Sequence, residues 1–480
     1  MEDVADGRTD GTDHLGAAPT DAELLALTAR EIAALVRDGR ASAVRVAEAH
    51  LARIAERDPE VGAFQAHDPE RVRVEAAAVD ARPDRFALPL AGVPVAVKDN
   101  VAVSGYPTRH GSAATGTDPA RRDDELVRRL RAAGAVIVGK TRMPELAIWG
   151  FTHSALGTTR NPHDPARDPG GSTGGGAAAV AAGMAALALG TDGGGSIRIP
   201  AAYCGLVGLK PGRDAVPLPG GADEHWCGLS VAGPLARSAA DAALMFDVLP
   251  GRGGARQQDG PEEPVPTDVN RVVLSLRSPF PVGRLHPDHR AAARGAAARL
   301  RADGVAVVLA DPPYGWRLTG QWTRRWHAGV ARDVDALDLD PSRLEPRTAT
   351  IARKGRRVLR LTPPREGAPW RWRDRFLHWL DGHDLMVGPA TAAGPFPAGR
   401  PVGGRYLPTL LRSAARTPYT PAWNLAGLPA VVVPVLVAGK PIGVQLVGRP
   451  GEEHRLLAVA ARLEHRAVPT STGAPRRVYV

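Results

Sequence analysis

From Leu88 onward, short β-branched runs alternate with stretches of helical period, and this alternation limits the chain to a sheet wrapped by helices. Residues 93–97, 135–138, 272–276, 305–310, 430–437 and 442–447 read as strands. Between them, 124–133, 177–186, 239–248, 288–301 and 452–464 read as helices. The expected fold class is therefore α/β, with helices on both faces of one sheet. Ahead of this pattern, Thr20 and Glu23 form a capping box that opens a helix running to Val36, where Gly39 stops it. Ser42 caps a second helix to about Arg57. Residues 1–19 are polar and read as a flexible tail. The Pro-, Gly- and charge-rich stretch 251–268 reads as a surface loop, because the same strand and helix style resumes after it.

Composition excludes several classes. Hydrophobic residues at 44% and charged residues at 23% fit a globular chain with a sizeable core. The net charge of +10 is spread thinly over 480 residues, which favours a solubility role over nucleic-acid binding. Cys204 and Cys227 are too few for a disulfide framework and lack metal-ligand spacing, so both are expected to be buried in a protein of the reducing cytoplasm. The start of the chain lacks a secretory pattern, and the longest apolar run, 177–189, is too short to cross a bilayer. The 14 histidines are scattered and form no His-Glu-x-x-His pattern, so neither metal nor cofactor is expected.

The most unusual stretch runs Asp168-Pro-Gly-Gly-Ser172-Thr173-Gly-Gly-Gly and resumes as Gly190-Thr-Asp192-Gly-Gly-Gly-Ser196-Ile-Arg198. Each Gly-rich turn presents a serine. Glycines let backbone N–H groups approach a bound atom closely, as an oxyanion hole requires. The same pattern would also suit tight turns or a phosphate cradle, but no Gly-Lys-Ser/Thr follows either loop and no clean dinucleotide fingerprint is present. A nucleophilic serine needs a base. Lys98 ends the apolar strand Gly92-Val-Pro-Val-Ala-Val-Lys98, where α/β proteins place their sites, and burial there would favour a neutral amine able to accept a proton.

These residues resemble the amidase signature family. The carriers are Gly92 through Asn100, Gly139-Lys-Thr-Arg-Met-Pro-Glu145, the block from Gly170 to Pro211, and Asn424-Leu-Ala-Gly-Leu-Pro-Ala through Gly443-Val-Gln-Leu-Val-Gly-Arg-Pro450. The resemblance spans roughly residues 20–465. It implies an amidase signature fold, a central twisted mixed β-sheet covered by helices on both faces. It divides 20–480, as one domain, into N-terminal helices (20–85), a catalytic core (86–250), a variable substrate-pocket region (251–420) and returning C-terminal strands and helix (421–480).

The resemblance also implies roles. Ser196 is the expected nucleophile, Ser172 the bridging serine after a cis Gly171–Ser172 peptide, and Lys98 the base. Backbone N–H groups of Gly193, Gly194, Gly195 and Ser196 are expected to form the oxyanion hole. Asp192 and Arg198 are expected to brace the loop, and Thr173 either adds a hydroxyl near Ser172 or caps the helix that follows. Arg109, Arg142, Met143 and His153 lie in segments that border the substrate channel in relatives. The implied reaction is hydrolysis of a linear carboxylic amide through a Ser196 acyl-enzyme, with a small-molecule amide as partner, no nucleic acid or membrane, and a possible homodimer. The alternatives are the A-type subunit of a tRNA-linked amidotransferase, against which Ile199 stands where glutamine is common, and a non-hydrolytic amidase-like tailoring or binding protein. Arg109, Arg142 and the basic segment 353–375, read as a pocket wall, point to an anionic amide.

Overall fold

The computed structural model describes residues 19–250, 268–280, 282–365, 370–399 and 404–464. The expected tail (1–19) and loop (251–268) lie, but for their last residues, outside the described residues. The first helix is not continuous to Val36. Leu27 is extended, and Thr28 opens a second capping box with Glu31, so two helices form, Asp21–Ala26 and Ala29–Arg37. The Ser42-capped helix runs Ala43–Val61, past the expected end, to Gly62 in the left-handed conformation (φ 65°).

Among the described residues thirteen strands follow: β1 (Phe64–Ala66), β2 (Pro94–Lys98), β3 (Val136–Thr141), β4 (His153–Ser154), β5 (Gly157–Thr158), β6 (Leu187–Asp192) and β7 (Val207–Lys210). Then come β8 (Val231–Ala236), β9 (Arg271–Leu274), β10 (Ala306–Leu309), β11 (Leu385–Pro389), β12 (Ala430–Val437) and β13 (Lys440–Val447). All but the β4–β5 hairpin join one sheet in the order β1-β3-β2-β6-β8-β7-β12-β13-β11-β9-β10. The sheet is mixed. β3, β2 and β6 run parallel, as do β11, β9 and β10, and the pairs between these two groups are antiparallel. Strands β2, β3 and β6 are buried along their whole length, as expected of parallel strands covered on both faces.

Strands β1, β4, β5, β6, β7, β8 and β11 lie outside the runs expected from the residue pattern. β6 follows an alanine-rich helix that was read through residue 186; the helix Gly174–Ala181 stops earlier, at Gly183 (φ 74°). β7 contains a glycine, and β8 a glycine and a proline, which weaken a strand pattern read locally.

Two apolar clusters result. One packs the sheet against helices on either face. The other is aromatic and gathers Trp149, Trp226, Trp326, Trp372 and Trp423 beside the carboxyl ends of β2 and β6. Both cysteines are free and buried. No described helix is long and apolar enough to cross a membrane.

Candidate active site

Parallel pairing sets Val97 of β2 beside Leu189 of β6, so the ends of these strands deliver Lys98 next to Thr191 and Asp192. Lys98 is fully buried. Its Nζ lies 2.7 Å from Ser172 Oγ and donates to Thr191 Oγ1 (2.9 Å) and the Thr191 carbonyl (3.2 Å). Burial pushes its pKa down to about 7, against a pull upward from the Asp192 charge. A neutral amine has two N–H groups and one lone pair. The two Thr191 acceptors match the N–H groups, which leaves the lone pair for the Ser172 hydroxyl. Ser172 follows a cis Gly171–Ser172 peptide. The N–H of Thr173 donates to the Ser196 carbonyl (3.0 Å), which ties the two serine-bearing turns together. Thr173 Oγ1 donates to the Thr191 carbonyl (3.2 Å) and makes no cap, so the capping alternative is corrected.

Asp192 and Arg198 pair at 3.0 Å, both fully buried. Arg198 Nε and Nη2 donate to the two carboxylate oxygens, Nη1 to Thr420 O and Gln445 Oε1, and Nη2 also to Asn424 Oδ1. All five guanidinium protons therefore have acceptors. Burial disfavours the Asp192 charge, but Arg198, Lys210 and Asn424 outweigh it and hold the carboxyl well below the usual range.

The carbonyls of the loop are fixed one by one. Asp192 O accepts from Asn424 Nδ2 (2.9 Å), Gly193 O from Trp322 Nε1 (3.1 Å), Gly194 O from Thr420 Oγ1 (2.7 Å) and Gly195 O from the Ile199 N–H (2.7 Å). In a trans peptide the N–H points opposite the carbonyl. The N–H of Gly195 accordingly donates to Asp192 Oδ1 (2.7 Å), which corrects its expected place in the oxyanion hole. The N–H groups of Gly193, Gly194 and Ser196 remain as the candidate donors.

Ser196 lies at a cavity of about 200 Å³ walled by Trp149, Trp226, Trp322, Trp326, Phe280 and Leu410. Among the described residues lining it, none carries a charge; the polar ones besides Ser196 are Thr319, Thr323, Ser413 and Thr417. The four residues expected at the substrate pocket do not line it. Arg109 Nε donates to Thr115 Oγ1 (3.1 Å), and its N–H to Asp99 Oδ1 (3.2 Å). Arg142 Nε donates to Phe64 O (2.9 Å) and Nη1 to Leu156 O, so its guanidinium braces backbone carbonyls. Met143 is buried in packing, and His153 Nδ1 is hydrogen-bonded to Thr158 Oγ1 within the β4–β5 hairpin. The described residues of the basic segment 353–375 do not line the cavity either. Trp372 packs behind it, donating to Ala422 O (3.1 Å), while the helices Arg317–Ala336 and Tyr406–Arg416 supply the wall.

Residue reading alone missed Thr191, Thr420, Asn424, Gln445 and the cavity tryptophans. Asn424 and Gln445 stand inside the C-terminal motifs that carry the resemblance. Trp322 stands in a segment with no motif at all.

Lys98 and Ser172 thus meet at the carboxyl end of β2, and the turn that carries Ser196 is tied to the Ser172 turn. The family model described as Amidase matches residues 45–338 and 340–457, and the chain belongs to the amidase signature family, as an amide hydrolase. It is 44% identical over 459 residues to AmiB2 of Mycobacterium tuberculosis, covering 93% of this chain and 97% of that one. It is 31% identical over 470 residues to an acylamidase of Rhodococcus erythropolis, covering 93% and 96%. Among solved structures it matches 6-aminohexanoate cyclic dimer hydrolase complexed with substrate at a TM-score of 0.81 and 30% identity, covering 95% of this chain and 100% of that one. It also matches a bacterial aryl acylamidase at a TM-score of 0.78 and 25% identity, covering 91% and 95%.

Proposed function

We propose that this amidase hydrolyses linear, uncharged amides with an apolar acyl or aryl group through a Ser196 acyl-enzyme. The observation that carries the mechanism is the buried Lys98 amine, 2.7 Å from Ser172 Oγ, with a pKa brought to about 7. Ser196 Oγ attacks the carbonyl carbon. Its proton passes to Ser172 Oγ as the Ser172 proton passes to Lys98 Nζ. The oxyanion meets the N–H groups of Gly193, Gly194 and Ser196, and collapse breaks the C–N bond. The proton returns through Ser172 to the departing amine, which leaves the acyl on Ser196. Water then attacks the ester carbonyl as its proton passes through Ser172 to Lys98; collapse breaks the bond from the acyl carbon to Ser196 Oγ, the proton returns through Ser172 to that oxygen, and the acid departs.

The uncharged substrate class follows from the cavity. A carboxylate placed among its indoles and leucines would lose its hydration with no cationic partner. This replaces the anionic amide that Arg109 and Arg142 suggested. The test is kcat/KM on matched linear amides, neutral and carboxylated, with a cyclic amide beside them. The reading expects the neutral linear amides to lead their carboxylated counterparts by roughly tenfold or more, and turnover to vanish in Ser196→Ala. Equal turnover of carboxylated amides would remove the substrate class, and preference for the cyclic amide would remove the linear one. Turnover surviving in Ser196→Ala would remove the mechanism.

A further inference from the structure

Two glycines of the Ser196 loop are each covered by an indole, and both indoles are held through the helix Arg317–Ala336. A Cβ on Gly193 would lie 2.7 Å from Trp226 Cε3, and one on Gly194 would lie 2.6 Å from Trp322 Cζ2. The two indoles differ in where their N–H goes. Trp226 Nε1 donates to Asp333 Oδ2 (2.7 Å), away from the loop. Its other face rests on Gly329, where a Cβ would lie 2.5 Å from Trp226 Cδ1, so Gly329 and Asp333, one helical turn apart, form a slot for the ring. Trp322 Nε1 instead donates to the Gly193 carbonyl itself (3.1 Å).

That bond has a specific consequence. The other loop carbonyls are held by Asn424, Thr420 and the Ile199 N–H, and only the 193–194 peptide is held from the helix Arg317–Ala336. Successive glycines let such a peptide plane rotate with little steric resistance. Rotation would carry the Gly194 N–H away from the reacting oxygen. We propose that Trp322 is a positioning residue for the oxyanion hole, fixing the Gly193 carbonyl so that the Gly194 N–H faces the cavity, and that Trp226 acts only as a wall that limits the acyl group. The proposal rests on the serine-hydrolase reading above. It also joins binding to catalysis: Trp322 stacks on Trp326 (5.2 Å between centroids), which meets Trp149 edge-on (5.8 Å), so a group filling this wall bears on the bond that orients the donor.

The test compares Trp322→Phe with Trp226→Phe, and with Trp316→Phe as an exposed control, in the full-length protein. Three quantities are read: kcat and KM on a good amide, the rate of Ser196 labelling by a small fluorophosphonate, and the melting temperature. Labelling develops charge on the phosphoryl oxygen but places little in the cavity, so it reports the oxyanion hole apart from the acyl wall. Trp322→Phe is expected to lower kcat and the labelling rate together by about tenfold or more, with the melting temperature little changed; KM shifts as well, because the indole also lines the cavity. Trp226→Phe is expected to shift KM and acyl preference more than the labelling rate. Benzothienylalanine at position 322 retains the ring and removes only the N–H, and is expected to reproduce the Trp322→Phe loss even if the phenylalanine variant folds poorly. Labelling of either 322 variant at the wild-type rate overturns the proposal, as does an equal loss of labelling in Trp226→Phe. Wild-type protein that resists labelling, or label that persists in Ser196→Ala, would instead mark failure of the nucleophile assignment.

Discussion

Lys98 is buried deeply enough to lose its proton near neutrality, yet it sits close enough to Asp192 to be held short of a fully hydrophobic lysine. Activity needs the neutral amine. The rate is therefore expected to be low below pH 6, to rise through about pH 7 and to level off in the alkaline range, as read from kcat/KM against pH. A profile falling from pH 6 to 8 would contradict this. Lys98→Arg keeps a permanent charge and should lower kcat by about 10²–10⁴-fold, the usual contribution of a positioned base. Asp192→Asn leaves Arg198 as a buried charge without its partner and should cost about 3–5 kcal/mol of stability, read by chemical denaturation. At this scale the Lys98–Ser172 and Asp192–Arg198 contacts were legible, because Ser172, Asp192 and Arg198 stand in one block of unusual residue types and Lys98 ends an apolar strand. Thr191 and Thr420 were not, since an ordinary threonine gains its role only from a neighbour distant in sequence. Arg109 and Arg142 were misplaced for a related reason: a guanidinium near a channel in sequence is long enough to turn back onto hydroxyls and carbonyls of its own fold.

Among the elements, the helix Gly174–Ala181 shows what the glycine run after Ser172 does. A Cβ on Gly175 would lie 2.6 Å from Ala63 O, Arg142 N and Arg142 O, so the helix approaches the β1–β3 edge at backbone contact. The Gly175 N–H donates to Arg142 O at 3.2 Å across this contact. Gly175→Ala is expected to destabilise the protein by about 1–3 kcal/mol through overpacking, despite the better helix propensity of alanine, and to disturb Ser172 at the helix start. A melting temperature equal to wild type would show that the two segments can separate without cost. Strands β2, β12 and β13 and the helices at 239–248 and 288–301 were legible from their period. β6 was hidden behind an alanine run shared with the preceding helix, and the cavity helix Arg317–Ala336 lies in a region with no motif to mark it. Its tryptophans are legible as pocket residues only once the helix is seen against the Ser196 loop.

At the scale of the whole molecule, burial of two lysines links folding to pH. Lys98 and Lys210 are each pushed down to about 7, foremost by burial, from an ordinary value of 10.5. Between these values the unfolded chain binds more protons than the folded one, so stability rises as pH increases from about 7 toward 10. The melting temperature should accordingly be higher at pH 9 than at pH 7, and Lys210→Met should flatten that rise; a fall over the same interval would show that both amines stay charged when folded. The sheet that buries these lysines is also what brings the strand ends carrying Lys98 and Asp192 under the Ser196 turn, so fold and proposed chemistry share one cause. The family's mixed sheet was legible from its motifs, whereas the character of the cavity was not, because it depends on how the helices Arg317–Ala336 and Tyr406–Arg416 close over the site. The central claim, that the amide's acyl group passes through Ser196, is tested most directly by quenching the enzyme in acid during turnover of a slow amide and mapping peptide masses. The account predicts an acyl adduct on Ser196 that is absent from Ser196→Ala. Steady turnover with no adduct, or an adduct on another residue, would contradict it.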